Sequence, residues 1–412
     1  MLVPLPVPLS LLLGAALAAS PCPLCRVAPD SVGMDAARLE LVDRAAQRGL
    51  SYDGYPGMAV VVGRDDRVVW ERGYGRLGWD PDSRAVDPER TMYDLASLTK
   101  VVATTTAIMV LYDRGKLRLD DPVGRFLPAY RHGAKRRVTI RMLLEHRGGL
   151  PAGIPLWGRA RTPRAARRLV LDAPLVYPPG TREVYSDVGA DVLGFVVEAI
   201  TGERLDRFVT RAVFRPLGMR STMFLPPRAD RPRIAPTEIA SSRGHPLRGE
   251  VHDESADALG GVAGNAGLFA TARDLARFAQ MMLDGGTLGG VRIVSDSTVA
   301  LFTRRAAGWR ALGWETCAGG ASCGQHMSER AYGHTGYTGT SMWIDPDNHL
   351  YVIVLANRVH ELPDGRVPPV AVLADVRADI ADVAELAVLE DGVPVAMPDG
   401  LRADRAIGWN GR

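Results

Sequence analysis

The chain has 412 residues, 46% of them hydrophobic, so it is long enough to bury a large core and to form two or three domains. Its 50 basic and 47 acidic residues leave a net charge of +3, and the arginine-rich segments 131–141 and 159–168 contain no interleaved aromatic residues. Such segments are typical of solvated helix or loop faces, and we expect no nucleic-acid partner.

The N-terminal segment predicts export to the periplasm or the extracellular space. No charged side chain precedes Arg26, and a proline-free apolar run extends from Leu9 to Ser20. We interpret residues 1–25 as a signal peptide, because the run is too short and too close to prolines to form a stable transmembrane segment. An exported protein can hold disulfides, and Cys317 and Cys323 can pair if the geometry permits.

Hydrophobic patterns predict strands near both ends of the chain. Residues 34–49 predict an amphipathic helix, and segments 57–63 and 67–75 predict a β-hairpin. A turn is predicted at 345–348 and a last helix at about 369–389. Successive antiparallel strands are predicted at 311–317, 331–338, 339–346 and 349–358.

The order of these elements predicts the fold class. Strands at both ends with helices between them indicate an α/β (α+β) fold, in which an antiparallel sheet is flanked by N- and C-terminal helices. We assign residues 30–390 to it, with the α/β part at about 30–115 and 290–390. An all-helical domain is inserted at about 116–289, and we expect an irregular tail at 391–412.

One lysine lies at a position in a predicted helix where a positive charge is unfavourable. The helix would begin with Asp94 or Ser97 as N-cap and end at Gly115, with no charge over 101–112. Lys100 falls in its first turn, where the helix dipole disfavours a cation. Only three of the 50 basic residues are lysines. Because a desolvated lysine can lose its proton in a protein whereas arginine cannot, Lys100 is a candidate base.

Three short stretches contain residues suited to acyl transfer. Ser97 shares a helix face with Lys100 and is a candidate nucleophile, although it can equally be a cap while Lys100 extends to solvent. Tyr185 begins a Tyr-Ser-Asp stretch before a predicted helix, and His-Thr-Gly at 334–336 begins a strand. Each has a simpler interpretation, Tyr185 as a core aromatic and 334–336 as an edge-strand bulge.

Taken in order, Ser-x-x-Lys, Tyr-Ser-Asp and His-Thr-Gly resemble the motifs of the serine β-lactamase and penicillin-binding protein superfamily. The similarity is greatest to its class C-like branch of β-lactamases, DD-carboxypeptidases and esterases. It covers roughly residues 30–390. It is also carried by "HRGGLP" (146–151), "FRPLGMRSTMF" (214–224) and "GGVAGNAGLFATARDLARF" (260–278).

The resemblance implies a role for each motif residue. Ser97 would be the nucleophile, Lys100 its base or proton relay, and Tyr185 an acid/base that passes a proton to the leaving group. The backbone N–H groups of Ser97 and Tyr337 would form an oxyanion hole. Substrate binding would fall to Asp187, His334, Thr335 and Gly336. We expect no metal and no organic cofactor.

The chain departs from class C β-lactamases, which have Tyr-x-Asn and Lys-Thr-Gly, at two positions. Asp187 cannot donate a hydrogen bond to a substrate amide as Asn does, and it favours a protonated Lys100. His334 offers only a conditional positive charge to a substrate carboxylate.

These departures favour an exported serine hydrolase acting on a small-molecule ester or a D-amino-acid amide. The alternative is a β-lactamase that hydrolyses β-lactam amides. A second alternative is a catalytically silent receptor that binds peptidoglycan fragments or other partners.

Overall fold

Strands from both ends of the chain meet in one sheet. The structure is a computed structural model that describes residues 24–239, 241–306, 308–319, 322–390 and 392–394. The strands are β1 (Cys25–Arg26), β2 (Gly57–Arg64), β3 (Arg67–Gly75), β4 (Tyr93–Asp94), β5 (Met223–Phe224), β6 (Leu268–Ala270), β7 (Thr287–Leu288), β8 (Val291–Arg292), β9 (Glu315–Thr316), β10 (Tyr332–Thr335), β11 (Thr340–Asp345), β12 (Leu350–Ala356), β13 (Leu389–Glu390) and β14 (Val393–Pro394).

Helices flank and separate these strands. The α-helices are α1 (Ala36–Leu39), α2 (Leu41–Ser51), α3 (Thr106–Asp113), α4 (Ile140–Leu144), α5 (Pro163–Asp172), α6 (Asp187–Thr201), α7 (Leu205–Val209), α8 (Glu254–Ala258), α9 (Ala272–Leu283), α10 (Asp296–Thr303) and α11 (Val370–Leu386). Two π-helical segments, Lys100–Thr105 and Thr210–Phe214, adjoin α3 and α7. The predicted helix 34–49 is present as α1 and α2, and the predicted last helix is α11.

The main sheet has seven strands in the order β1-β3-β2-β12-β11-β10-β9. Its neighbouring pairs are antiparallel except β1 with β3, which confirms the predicted hairpin and the late antiparallel strands. The strand predicted at 311–317 is reduced to β9. Gly313 interrupts it with a φ of +84°, in a position where a Cβ would overlap the Thr105 side chain.

Both faces of the sheet are buried because alternate residues of its central strands enter different cores. Val60 and Val62 of β2 pack in a core with α2 and α11, whereas Ala59 and Val61 enter a larger core with α9 and the inserted helices. The prediction of an antiparallel sheet flanked by N- and C-terminal helices is therefore confirmed. The larger core lies behind the residues of the candidate site.

The inserted segment 116–289 differs from an all-helical domain in its short strands and in the placement of one helix. Strand β6 pairs with β4 and β5 in a small second sheet. Helix α9 lies against β2, β11 and β12, because Leu275, Phe278 and Met282 recur on one face and are buried in the larger core. In space, α9 therefore belongs with the α/β part.

The two ends of the described chain refine the predicted boundaries. Residues 1–23 lie outside the described residues, but Leu24 is fully buried and Cys25 begins β1, which pairs with Arg67 and Val68. Removal of residues 1–25 would delete Leu24 and this strand residue, and the signal peptide itself stays a prediction. Of the predicted irregular tail, β14 pairs with β13, and 391 and 395–412 lie outside the described residues.

The late cysteines are paired in the structure. Cys317 and Cys323 form a disulfide, and their Cα atoms are 5.9 Å apart, a separation that a disulfide normally spans. Among the helices of the described ranges, none combines the length and the apolar composition needed to cross a bilayer.

We expect the N-terminus of the exported protein to lie at or before Leu24, because the mature fold uses β1 and buries Leu24. A chain started at Val27 should unfold at a lower temperature, since burial of one leucine contributes about 1.5–3 kcal/mol. Intact-mass measurement of the exported protein and thermal unfolding of the shortened chain test this. A native mature chain that begins after Cys25 and unfolds no earlier would contradict the assignment.

Candidate active site

Ser97 lies in a tight turn between β4 and the helix that follows. Ala96, just before it, has a left-handed backbone with a φ of +46°, an uncommon conformation for a residue with a Cβ. The Asp94 carboxylate accepts the Ala96 N–H at 2.9 Å and the His252 N–H at 2.6 Å. Asp94 is therefore a strand residue that holds the turn and not the predicted helix N-cap. Ser97 is half-buried, so its hydroxyl is within reach of solvent.

Lys100 is buried directly beneath the Ser97 hydroxyl. Its Nζ donates to Ser97 Oγ at 2.9 Å and to the carbonyl oxygen of Asn265 at 3.0 Å, and it lies 2.7 Å from Asp187 Oδ1. An ammonium group has three N–H donors, and these three acceptors use all of them. The structure thus brings Ser97 and Lys100 together and excludes the alternative in which Lys100 extends to solvent.

The surroundings of Lys100 keep it charged in the resting protein. Burial disfavours the ammonium, but the interactions with Tyr185 and Asp187 outweigh burial and raise the pKa of Lys100 above that of an ordinary lysine. The sequence anticipated this effect of Asp187. Asp187 Oδ1 is in direct contact with Lys100, and the substrate-binding role that the resemblance implied for Asp187 stays a prediction.

Tyr185 completes the group at the start of α6. Its phenol interacts with Ser97 and Lys100, and its ring centre lies 4.8 Å from Lys100 Nζ. Burial raises the pKa of Tyr185, although the nearby Lys100 acts in the opposite direction. The phenol is therefore neutral in the resting protein. Ser186 caps α6 by accepting the Gly189 N–H, which fixes the helix start next to Tyr185.

The loop after β10 is fastened to the turn that carries Ser97. The Thr338 and Thr340 hydroxyls donate to main-chain carbonyls of that turn at 2.7 Å and 2.9 Å. A Cβ at Gly336 would overlap the Thr340 hydroxyl and the Leu95 carbonyl, so only glycine permits this approach. The third motif is therefore held against the first one.

This approach leaves two backbone donors near each other. In the described part of the chain, neither the Ser97 N–H nor the Tyr337 N–H donates a hydrogen bond to the protein. Both are thus available to a substrate oxygen. Thr335 is half-buried, and β10 pairs with β9 only at Tyr332 and Gly333, so the β9-side edge at residues 334–335 is not covered by that strand.

His334 is buried, contrary to a role as a charged contact for substrate. Its Nδ1 lies 2.7 Å from the Thr335 carbonyl oxygen and its Nε2 3.8 Å from Glu315 Oε1. Burial lowers the pKa of His334 even though Glu315 acts in the opposite direction. His334 is therefore neutral near pH 7, and the expected conditional positive charge is not present there.

Sequence reasoning missed a fixed positive charge at the site. Arg310 is buried, donates from Nε to Glu183 Oε1 at 2.8 Å, and places its guanidinium carbon 5.3 Å from the Tyr185 ring centre. No motif marks this residue among the chain's many arginines, so the sequence carried no signal for it.

Asp191 and His146 were also missed as site residues. Asp191 Oδ1 accepts the N–H groups of Gly264 and Asn265 at 3.0 Å and 3.1 Å, which directs the Asn265 carbonyl to Lys100. His146 packs its ring 4.7 Å from that of Tyr185. His146 had a signal in the quoted "HRGGLP" stretch, but the spacing alone gave it no role. Within the described ranges, no group of His, Cys, Asp and Glu side chains is arranged to hold a metal ion.

Known proteins share this sequence pattern and fold. The β-lactamase family model matches residues 42–376. A Salmonella typhimurium protein named "Putative D-alanyl-D-alanine carboxypeptidase" is 35% identical over 376 residues, covering 82% of this chain and 86% of the relative.

Two solved structures share the fold. One is EstCE1, described as a hydrolase with promiscuous acyltransferase activity, at a TM-score of 0.66 and 24% identity, covering 85% of this chain and 100% of the other. The other is a novel penicillin-binding protein homologue from Caulobacter crescentus, at a TM-score of 0.68 and 20% identity, covering 87% and 98%.

We expect Asp187→Asn to move the acid limb of the pH–rate profile to lower pH. The Asp187 charge raises the pKa of both Lys100 and Tyr185, so its removal lets this pair lose a proton earlier as pH rises. The shift should be about 1–3 pH units, the usual effect of one close charge. Hydrolysis of a p-nitrophenyl ester between pH 4 and pH 10 measures it.

Asp120→Asn is the matched control, because Asp120 is an exposed carboxylate paired with Arg141 on the surface. Its profile should superimpose on that of the wild type. If the two variants gave the same profile, Asp187 would not control the protonation of the Lys100–Tyr185 pair.

Proposed function

The chain belongs to the β-lactamase family of serine hydrolases, and within that family we propose that it forms an acyl-enzyme at Ser97 and hydrolyses an ester or a D-amino-acid amide. The observation that carries this proposal is the 2.9 Å hydrogen bond from Lys100 Nζ to Ser97 Oγ, with the Tyr185 ring centre 4.8 Å from the same Nζ. We also propose that the protein acts after export, in the periplasm or outside the cell. No metal or organic cofactor takes part in the proposed steps.

The first step removes one proton from the resting site. Lys100 is an ammonium and Tyr185 a neutral phenol, so neither can accept the Ser97 proton. The two groups are close enough to titrate as a coupled pair, which loses one proton to solvent as pH rises. The pair then has one proton vacancy, either on Nζ, which lies 2.9 Å from Ser97 Oγ, or on the phenolic oxygen of Tyr185.

The second step is attack on the acyl carbon. Ser97 Oγ forms the new bond, its proton fills the vacancy in the Lys100–Tyr185 pair, and the carbonyl oxygen becomes an oxyanion. The N–H groups of Ser97 and Tyr337 would bind this oxyanion, and one such donor typically contributes about 10²–10³ in rate. The sharp turn at Ala96 directs both the Ser97 hydroxyl and its N–H toward the substrate.

The third step releases the leaving group. Tyr185 passes its proton to the leaving oxygen or nitrogen as that bond breaks, which restores the vacancy and leaves the acyl group on Ser97. Water then repeats the sequence. Its proton fills the vacancy, its oxygen attacks the acyl carbon, and the proton returns to Ser97 Oγ. Atoms and protons balance over the cycle.

The choice of substrate rests on the second and third motifs. Asp187 is paired with Lys100 and has no N–H to offer an amide carbonyl, which disfavours β-lactams. The uncovered edge at Thr335 suits an extended acyl group. The name of the 35% identical relative, a D-alanyl-D-alanine carboxypeptidase, supports a D-peptide, and that of EstCE1, a hydrolase with acyltransferase activity, supports an acyl-enzyme.

A β-lactamase remains the alternative, and a silent receptor the second alternative. The receptor is disfavoured because Lys100 is buried, is hydrogen-bonded to Ser97 and lies next to Tyr185, a geometry that binding alone does not require. Peptidoglycan fragments would fit either a peptidase or a receptor. The two differ in whether the substrate becomes covalently attached.

We expect Ser97 to be the only residue acylated when the protein meets a fluorescent penicillin, a p-nitrophenyl ester or a D-alanyl dipeptide. Intact-mass spectrometry after rapid quenching shows the adduct, and peptide mapping locates it. Ser97→Ala should give no adduct with any probe. An adduct on another serine, or binding without any adduct, would contradict the proposed acyl-enzyme.

We expect Lys100→Arg to slow acylation by about 10²–10⁴, the usual contribution of general base catalysis. Guanidinium keeps the charge near Asp187 but cannot give up a proton, so only the acid/base role is lost. Thermal unfolding is the control for packing around the larger head group. A correctly folded Arg variant that acylates at nearly the normal rate would show that Lys100 is not the base.

A further inference from the structure

The backbone around Tyr185 is held by one residue outside the three motifs. Residues 182–186 lie before α6 and form no regular secondary structure, so no helix or strand ladder fixes the phenol. The His146 carbonyl accepts the Val184 N–H at 2.9 Å, and His146 Nδ1 accepts the Ser186 N–H at 3.0 Å. One residue thus binds the chain immediately before and immediately after Tyr185.

His146 occupies a backbone position that normally takes glycine. It follows α4 with a φ of +55°, its N–H donates to the Leu143 carbonyl, and the Arg147 N–H donates to the Met142 carbonyl. This is the Schellman arrangement, in which the left-handed residue is usually Gly or Asn. A left-handed residue with a Cβ costs roughly 1–2 kcal/mol, so the local backbone alone does not favour histidine here.

The His146 side chain makes two contacts that glycine could not make. Its ring is buried and packs 4.7 Å from the Tyr185 ring, and it presents Nδ1 as an acceptor to the Ser186 N–H. That acceptor requires Nδ1 to be unprotonated. Burial, together with the charges of Arg310 and Lys100, holds the pKa of His146 well below its usual range, so the hydrogen bond persists across neutral pH.

We propose that His146 is a positioning residue for Tyr185. His146 binds the backbone on both sides of Tyr185 and packs against the Tyr185 ring, so that the phenol meets Ser97 and the leaving group. The inference rests on the proposed function. It adds a residue whose hydrogen bonds go to the backbone on either side of Tyr185 and which would act through Tyr185. A misplacement of about 1 Å in a catalytic group can cost about 10² in rate, so loss of this support should be measurable.

The test compares three substitutions. His146→Gly removes the side chain and suits the left-handed backbone, so the fold should keep or gain thermal stability. His146→Asn also tolerates that backbone and offers Oδ1 in nearly the place of Nδ1. His146→Leu is apolar, with no acceptor. His132→Gly, on an exposed surface loop, is the matched control.

We expect His146→Gly to lower kcat by about 10²-fold for esters with poor leaving groups, with less effect on p-nitrophenyl esters and little change in KM. Poor leaving groups depend most on the Tyr185 proton. His146→Asn should recover most of the lost rate, and His132→Gly should behave as the wild type. In a Tyr185→Phe background, His146→Gly should cause no further loss, because the group it positions is already absent.

Three outcomes would overturn the positioning role. They are an equal loss for all leaving groups, a loss that multiplies with that of Tyr185→Phe, or no loss. If His146→Gly does not fold, the comparison of the Asn and Leu variants decides the matter, since only Asn keeps the acceptor. Failure of the proposed function is distinguishable, because the wild type itself would then form no Ser97 adduct.

Discussion

The ammonium group of Lys100 is the interaction on which the site depends. Its three N–H bonds connect the Ser97 turn, the first residue of α6 and the Asn265 carbonyl. Each partner is itself supported. Asp187 lies at a helix N-terminus, where the dipole favours a carboxylate, and the Asn265 backbone is directed by Asp191. A buried ammonium is destabilised when it loses a partner, so the three segments are fixed together.

The same interaction opposes the chemistry that the site is proposed to perform. A fully satisfied ammonium stabilises the resting fold but cannot accept the Ser97 proton. Reaction therefore requires one proton to leave the Lys100–Tyr185 pair first, and the nearby Asp187 charge makes that loss harder at low pH. Asp187 stands where class C β-lactamases have Asn. The same carboxylate therefore affects both the stability of the fold and the proposed activity.

Much of the fold could be predicted from local patterns. The runs 57–63 and 67–75, separated by three polar residues, predicted the hairpin. The i,i+3 spacing of Ser97 and Lys100 predicted their contact. Both features depend on residues that are close in sequence. Burial of His334 depends on neighbours distant in sequence, such as Glu315 and Arg310, so its neutral state could not be predicted from the motif. Arg310 itself is one of many arginines and carries no local signal. The placement of α9 on the main sheet likewise follows from tertiary packing.

A measurement of the protonation state of Lys100 in the resting protein tests the proposed mechanism most directly. The chain has only three lysines, so the ¹⁵Nζ resonances of Lys100, Lys116 and Lys135 can be assigned by single Lys→Arg substitutions and followed through a pH titration. The account predicts that Lys100 remains an ammonium throughout the neutral range and loses its proton only at higher pH than an ordinary lysine. A neutral Lys100 amine at pH 7 in the unreacted wild-type protein would contradict it.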